Sequence, residues 1–254
     1  MYPVLFRIGS FEARSYYVLW AFALLLFLRC TFARCTKRYG ADPQTAISAL
    51  LWVYCCAIGG AVLGGVLEKL PLVLSGNESV KILLHGGASS GFGILSGGIA
   101  GILRLRGEKF TVSAFADAAS LPVSAMLSVG RIGCLLEGCC KGIVIEKRWY
   151  ALHFPQDVPG VSRFPSQPLE AFACALIFLC LCFAGKKLSS RYKGAVLFPL
   201  FLILYGAYRL FFDAFREPSQ FAAFKSAQPL SLAALLTGVC WLVSSLRKSK
   251  DKNC

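Results

Sequence analysis

Charged residues are scarce in this sequence of 254 residues. They make up 16% of it, against about a quarter in an average soluble domain, whereas hydrophobic residues make up 56%. This composition excludes a disordered chain, which needs few apolar residues and a high net charge. It also argues against a soluble domain, because too little polar surface is left to cover an apolar core.

Acidic residues are scarcer still. Thirteen Asp and Glu face 27 Lys and Arg, which gives a net charge of +14. A basic balance can indicate a nucleic-acid-binding protein, but here the bases lie in short clusters between apolar runs, as in the loops of membrane proteins. No DNA- or RNA-binding motif accompanies them, so we expect no nucleic-acid partner.

Histidine is nearly absent, with only His85 and His153, whereas there are twelve cysteines. Three of these, Cys134, Cys139 and Cys140, form a C-x4-CC pattern. It lacks the paired spacing typical of zinc sites and has no histidine close in sequence, so we expect no metal ion. A disulfide that includes Cys139 or Cys140 stays open, and its partner cannot be read from the sequence. The cysteines inside apolar runs are expected to behave as small hydrophobes: Cys30, Cys55, Cys56, Cys174, Cys180, Cys182 and Cys240.

Long apolar runs dominate the rest of the chain. A membrane-spanning helix needs about 20 mostly apolar residues, and seven segments approach this, two of them less clearly because they contain many small residues or internal polar ones. The fold prediction is therefore all-α, a polytopic membrane protein of about seven transmembrane helices in a single domain, residues 1–254. The first run lacks the features of a cleaved signal peptide. The predicted spans are 16–34, 46–67, 88–105, 112–136, 168–184, 195–213 and 228–246.

Lysine and arginine placement predicts the orientation. The segments after spans one, three, five and seven carry a net charge of +11, and the opposite side carries +3. Because positive loops stay cytoplasmic, we expect the C-terminus in the cytoplasm and the N-terminus outside. The long loop around 137–167 then faces the periplasm or the exterior.

Two arginines stand at membrane depth, where an ionisable group usually faces a partner or a cavity. Arg131 lies in a glycine-rich stretch, residues 130–142, and could hold a lipid phosphate by a bidentate contact, or simply extend to the interface. Arg209 shares one helix face with Tyr205 and Asp213, which predicts either a polar site or an internal ion-pair stripe that fixes helix packing.

Small residues mark a third candidate region. Ser96, Gly97 and Gly98 favour close helix packing in lipid, although an unwound glycine-rich backbone can also bind an anion. His85 precedes this stretch and is either a general base or a solvated histidine. Tyr16 enters the first span, where an interfacial aromatic belt is expected.

Six motifs in this order resemble the prolipoprotein diacylglyceryl transferase family over almost the whole chain. The matching elements are Tyr2-Pro3-Val4-Leu5-Phe6-Arg7-Ile8-Gly9 with Ser15-Tyr16; Gly130-Arg131-Ile132-Gly133; Pro165-Ser166-Gln167 with Glu170-Ala171; Tyr205-Gly206 with Arg209; Arg216-Glu217-Pro218; and Gln228 with Leu230-Ser231. The resemblance implies a bacterial inner-membrane enzyme that moves diacylglycerol from phosphatidylglycerol to the lipobox cysteine of a prolipoprotein signal peptide, releasing glycerol phosphate, without a cofactor.

The resemblance also implies roles for individual residues. Arg131 and Arg209 would bind the phosphate and the developing charge, and Tyr16 and Tyr205 would orient the head group. Ser96 occupies the family's histidine position and Val62 the position of a family arginine. Polar residues of the family's pattern are changed over residues 133–139, and the chain carries a Gly-Cys-Cys element at 138–140. Because of these departures, two alternatives stay open: a related transferase with another acceptor, and a non-catalytic lipid-binding or transport protein. The expected catalytic residues are Arg131, Arg209, Tyr205, His85 and Ser96; the expected substrate-binding residues are Tyr16, Gly130, Gly133, Cys134, Glu137, Gly97 and Gly98.

Overall fold

A computed structural model describes residues 2–9, 11–76, 80–81, 89–188, 196–217 and 228–250. The described part is almost entirely helical. Each predicted span coincides with one helix, so the all-α prediction is confirmed for the spans. The helices are α1 (Ser15–Lys37), α2 (Pro43–Leu74), α3 (Ser90–Leu105), α4 (Val112–Glu137), α5 (Ser166–Leu188), α6 (Leu197–Asp213) and α7 (Gln228–Lys250).

Five of these helices are long and apolar enough to cross a membrane: α1, α2, α4, α5 and α7. Helices α3 and α6 have 16 and 17 residues. At 1.5 Å per residue these extend about 24–26 Å, less than the hydrocarbon core of about 30 Å. The chain is therefore a multi-pass membrane protein with at least five candidate spans.

Carboxylates define the beginning of two helices. The Asp42 side chain accepts a hydrogen bond from Thr45 N at 3.0 Å and caps α2, which begins three residues before the predicted span because Pro43 suits the first helical turn. Asp117, buried in α4, accepts hydrogen bonds from Val196 N at 3.0 Å and Phe198 N at 2.7 Å. This carboxylate therefore fixes the start of α6 against α4.

Two short β-hairpins were not predicted. Strand β1 (Val4–Ile8) pairs antiparallel with β2 (Phe11–Arg14) immediately before α1. Strand β3 (Val144–Ile145) pairs with β4 (Ser162–Arg163) within the long loop that joins α4 to α5. Strands of two to five residues are too short to produce a clear alternating pattern in the sequence.

The chain divides into two compact units. The first comprises Met1–Thr31, Ala116–Glu217 and Ala227–Cys254, and the second comprises Phe32–Phe115 and Pro218–Ser226. In the first unit α6 packs against α5 and α7, and in the second α2 packs against α3. The core of the first unit is built around the buried side chains of Ile177, Leu181 and Phe201.

Candidate active site

A buried carboxylate on α5 organises the polar centre of the first unit. Glu170 is fully buried. Its Oε2 atom lies 2.8 Å from Arg131 Nε of α4 and 3.3 Å from Arg209 Nη1 of α6, and it accepts a hydrogen bond from the Tyr208 hydroxyl at 3.1 Å. Its Oε1 atom faces Arg216 Nε at 3.6 Å. We call Arg131, Arg209 and Arg216 with Glu170 the arginine cluster.

The arginine cluster carries more positive than negative charge. Arg209 also faces Asp213, with Nη2 and Oδ1 3.7 Å apart, so three guanidinium groups share two carboxylates. Arg131 contacts Glu170 through Nε, and among the described residues no second carboxylate pairs with its terminal nitrogens. One positive charge is thus not matched by a carboxylate of the described residues, in a setting where attraction between charges is several times stronger than in water.

Aromatic side chains of α6 line one side of this centre. Tyr205 stacks on Phe201 and meets Tyr208 edge to face, with ring centroids 5.4 Å apart in both pairs. Tyr205 and Arg209 are four residues apart on one helix face, as the sequence predicts. The structure therefore brings together three of the predicted catalytic residues, Arg131, Arg209 and Tyr205, in the first unit.

The glycines near Arg131 allow α4 to approach α1 closely. A Cβ atom added to Gly130 would come within 2.5 Å of the Trp20 ring, and one added to Gly133 would lie 3.7 Å from the Tyr16 backbone. Close helix packing therefore explains Gly130, whereas a side chain at Gly133 would make only ordinary contacts. The two glycines place Tyr16 beside the end of α4 that carries Arg131.

The long loop is joined to the chain that follows α6. Ile143 N donates to Phe215 O at 3.0 Å, Glu217 N donates to Lys141 O at 3.1 Å, and Gly142 forms a β-bridge with Arg216. This strand-like pairing holds the backbone of Arg216 directly after α6. The loop therefore positions the third guanidinium of the arginine cluster.

Ion pairs stabilise the loop itself. Asp157 contacts Arg163 Nε at 2.6 Å and Lys141 Nζ at 2.7 Å, and Arg163 Nη1 contacts Glu217 Oε2 at 3.0 Å. The hydrogen bond from Arg163, together with that from Lys141, lowers the pKa of the Asp157 carboxyl. The same hydrogen bond raises the pKa of Arg163, so both groups stay charged at neutral pH.

Three thiols converge where α4 ends. Gly138 has φ +76° and its N–H, like that of Cys139, donates to Cys134 O, so the chain folds back over the last helical turn. The Sγ atoms of Cys134, Cys139 and Cys140 all lie within 4.8 Å of one another. Hydrogen bonds from the other two thiols lower the pKa of Cys140, and the positive charges of Arg216 and Arg131 act in the same direction. We call these three residues the thiol cluster.

The remaining predicted residues lie elsewhere. Glu137, at the end of α4, pairs with Arg14 at 3.0 Å. Ser96 belongs to the second unit, and its hydroxyl lies 2.8 Å from the carbonyl oxygens of Cys56 and Phe92. A Cβ atom added to Gly97 would lie 3.0 Å from Ala57, whereas Gly98 has nothing within 4 Å. His85 lies outside the described residues.

An apolar cleft of about 590 Å³ also lies in the second unit. Of its seven lining residues only Arg104 is charged, and that side chain already contacts Ser48 and Glu108, each at 2.8 Å. The charge of Arg104 is therefore matched by one carboxylate, whereas the three guanidiniums of the arginine cluster share two.

Glu170, Tyr208 and Arg216 were not among the predicted site residues. Glu170 did carry a usable signal, because an acidic residue inside an apolar helix rarely lacks a partner or a function. Arg216 belongs to the Arg216-Glu217-Pro218 motif of the family resemblance, which gives it no role of its own. Tyr208 gave no signal beyond its neighbours, because a tyrosine near a helix end is expected at a membrane interface.

A family model and individual relatives of this chain carry the same name. Residues 3–244 match the family model described as prolipoprotein diacylglyceryl transferase. A phosphatidylglycerol–prolipoprotein diacylglyceryl transferase from Azospirillum brasilense is 30% identical over 97% of this chain and 94% of its own length. Proteins with the same name from Geobacter sulfurreducens and Dehalococcoides mccartyi are 30% and 27% identical, over 97% and 99% of this chain and 96% and 97% of their own lengths.

Proposed function

The chain belongs to the prolipoprotein diacylglyceryl transferase family, and from that premise we propose that the arginine cluster is where it carries out the family's reaction. It is a membrane transferase. The name shared by its relatives gives phosphatidylglycerol as the donor and a prolipoprotein as the acceptor. This chain moves the diacylglyceryl group from the former to the latter, and we place the acceptor thiol on the lipobox cysteine of the signal peptide.

The reaction is a displacement at carbon. The acceptor thiol loses its proton and attacks the glyceryl carbon that carries the phosphate, because the thiolate is the nucleophilic form. A carbon–sulfur bond forms, the carbon–oxygen bond to phosphate breaks, and glycerol phosphate leaves with the electron pair. Negative charge builds up on the departing phosphate, so cations placed there lower the barrier.

The uncompensated positive charge of the arginine cluster is the observation that carries this proposal. Arg131 and Arg209 hold the phosphate in its ground state and as it leaves, with Glu170 fixing both guanidiniums between α4 and α6. Tyr205 orients the head group from α6, and Tyr16 does so from α1. We also propose that the substrate contacts six further residues: Gly130, Gly133, Cys134, Glu137, Gly97 and Gly98. Catalytic roles for His85 and Ser96 belong to the same proposal.

The membrane arrangement is also part of the proposal. We infer seven spans, with α3 and α6 crossing as short helices in residues 1–254 taken as one membrane domain. The chain lies in the bacterial inner membrane with its N-terminus in the periplasm and its C-terminus in the cytoplasm. The loop between α4 and α5 then lies on the periplasmic side, where lipoprotein precursors present their cysteine.

The direct test uses purified protein in bilayers that contain phosphatidylglycerol, with a lipobox peptide as acceptor. We expect the peptide to gain the mass of one diacylglyceryl group for each glycerol phosphate released. Release without peptide modification would point to another acceptor. Phosphatidylglycerol binding without release would make the chain a lipid-binding protein and would contradict the proposal.

A matched pair of variants ties the activity to the site. Arg209→Ala removes a cation of the arginine cluster, whereas Arg104→Ala removes one that is already paired with Glu108 at 2.8 Å. We expect transfer to be lost only in the first. Equal activity of the two variants would separate the reaction from the arginine cluster.

A further inference from the structure

The thiol cluster is a preformed group of three metal-ligating atoms. Cys134 is buried in the last turn of α4, and Cys139 and Cys140 are returned over it by the turn at Gly138. Three sulfur atoms bound tetrahedrally to one ion at about 2.3 Å would lie about 3.8 Å apart. The observed separations, all within 4.8 Å, need only a small adjustment to reach this.

Neighbouring side chains hold the two outer cysteines in place. Gln167, fully buried, donates to Cys139 O at 2.9 Å, and Ser166 donates to Cys140 O at 3.4 Å. Cys140 has φ +54°, a conformation that costs energy in a residue with a side chain. Its backbone is therefore fixed by the surrounding contacts, and the site does not have to assemble when a ligand arrives.

Pairing as a disulfide suits this geometry less well. Cys139 and Cys140 are adjacent in the chain, so their Cα atoms are about 3.8 Å apart, closer than the roughly 4.4–6.8 Å of ordinary disulfides. All the described cysteines are free thiols. A disulfide from Cys134 to either neighbour would also leave the third thiol unused beside it.

We propose that Cys134, Cys139 and Cys140 bind a thiophilic divalent cation, zinc being the ion that suits three thiolates, with one coordination position left open. Soft thiolate ligands select such ions, and three protein ligands with an open fourth position are typical of zinc sites that act on a bound group. Zinc with three thiolates carries one negative charge. The positive charges of Arg131 and Arg216, which act on Cys140, favour a negatively charged group at this place.

The open position has a use that rests on the proposed function. An acceptor thiol that binds there gives up its proton to solvent and is held as a thiolate beside the arginine cluster. It then attacks the glyceryl carbon, the carbon–oxygen bond to phosphate breaks, and the thioether product, a weaker ligand, leaves the ion. The thiol cluster with its bound ion would thus lower the cost of deprotonating the acceptor thiol. The C-x4-CC spacing does not predict this role.

The first test is metal binding, measured without any reference to activity. Purified full-length protein is incubated with zinc, dialysed and analysed for bound zinc, and in parallel with cobalt, whose bonds to thiolate give an intense charge-transfer absorption. We expect one equivalent of zinc and the cobalt–thiolate band. Lack of the band in the wild-type protein would overturn the site, whatever any variant does.

Variants then locate the bound ion. The triple change Cys134→Ser, Cys139→Ser and Cys140→Ser should lose one equivalent of zinc and the cobalt band. A control that replaces three exposed cysteines outside the thiol cluster with serine, Cys30, Cys55 and Cys240, should keep both. Equal zinc content in the two triple variants would overturn the proposal. So would a disulfide among the cluster residues in protein alkylated before extraction from the membrane.

The transfer assay separates this inference from the proposed function. Zinc-free wild-type protein should lose at least tenfold in transfer rate and regain it with zinc. Full transfer without zinc would leave the function standing and overturn thiol activation by the cluster. No transfer with zinc bound would overturn the proposed function and leave the metal site intact.

Discussion

The two polar regions of this protein differ in what their polar atoms contact. In the second unit Arg104 is matched by Glu108 and Ser48, and the Ser96 hydroxyl is used by backbone carbonyls. In the first unit three guanidiniums share only two carboxylates. Polar groups whose hydrogen bonds and charges are matched within the protein hold helices together. A charge at membrane depth that no carboxylate matches usually faces a partner or a cavity, and is therefore a candidate binding site for an anion.

The largest effect on stability is expected when the carboxylate of Glu170 is removed. Glu170→Gln keeps the side-chain shape but leaves the guanidiniums of α4 and α6 without their shared partner. Breaking a buried ion pair costs about 3–5 kcal/mol, so we expect the free energy of unfolding in detergent to fall by about that amount. Denaturant titration measures it.

The matched change in the second unit is Glu108→Gln, which breaks the Arg104 pair where both side chains are partly exposed. An exposed pair contributes about 0–1 kcal/mol. If the two variants lost the same stability, the contrast between the two regions would be wrong.

Substitution of either cluster arginine should act on the rate. Arg131→Ala or Arg209→Ala removes charge that stabilises the departing phosphate, and loss of one such donor typically lowers the rate by about 10²–10³-fold. Diacylglyceryl transfer to a lipobox peptide measures this.

Arg131→Lys should recover little of the transfer rate that Arg131→Ala loses, because an ammonium cannot contact phosphate and Glu170 in the same forked geometry. Full activity of Arg131→Lys would mean that only the charge matters.

The loop that positions Arg216 should respond to acid. The pKa of Asp157 lies below its ordinary value of about 3.9, chiefly because Arg163 donates to its carboxylate. The stabilisation is therefore present above that ordinary value and is lost as the pH falls through the lower folded-state value. We expect proteolytic protection of residues 138–165 to be constant from neutral pH down to about 4 and to decline below it.

Asp157→Asn should remove this protection at every pH above about 4, by about 1.5–3 kcal/mol for a hydrogen bond between charged groups. Glu146→Gln is the control, because its contact with Arg148, at 3.5 Å, is exposed. A loop that becomes equally protease-sensitive in both variants would show that the ion pairs of Asp157 do not hold it.

The smallest effect is expected at Ser96. If its hydroxyl serves only the contact between α2 and α3, Ser96→Ala should cost about 0.6 kcal/mol, the average for such bonds between transmembrane helices. An unchanged transfer rate would confine Ser96 to the packing of α2 against α3. A rate that fell as far as in Arg209→Ala would instead support the catalytic role predicted from its place in the motif.

The parts of this structure that follow from local chemistry were predictable. Apolar runs predicted all seven helices. Arg131 and Arg209 were singled out because a charged residue within an apolar segment usually faces a partner or a cavity. The sequence did not show that Glu170 lies between them, because that contact joins three helices distant in sequence. It also did not show the thiol cluster, whose spacing resembles no common zinc motif and whose convergence depends on the turn at Gly138.

The most direct test of the account is whether the cluster arginines touch the donor phosphate. Protein with ¹⁵N in its arginine side chains, reconstituted in phosphatidylglycerol bilayers, can be examined by solid-state NMR for dipolar coupling between guanidinium nitrogen and lipid phosphorus. We predict a coupling at direct-contact distance that is weaker in Arg131→Lys and in Arg209→Lys, is lost when both are replaced, and is kept in Arg104→Lys. Coupling that is unchanged in the two cluster variants would contradict phosphate binding at the arginine cluster.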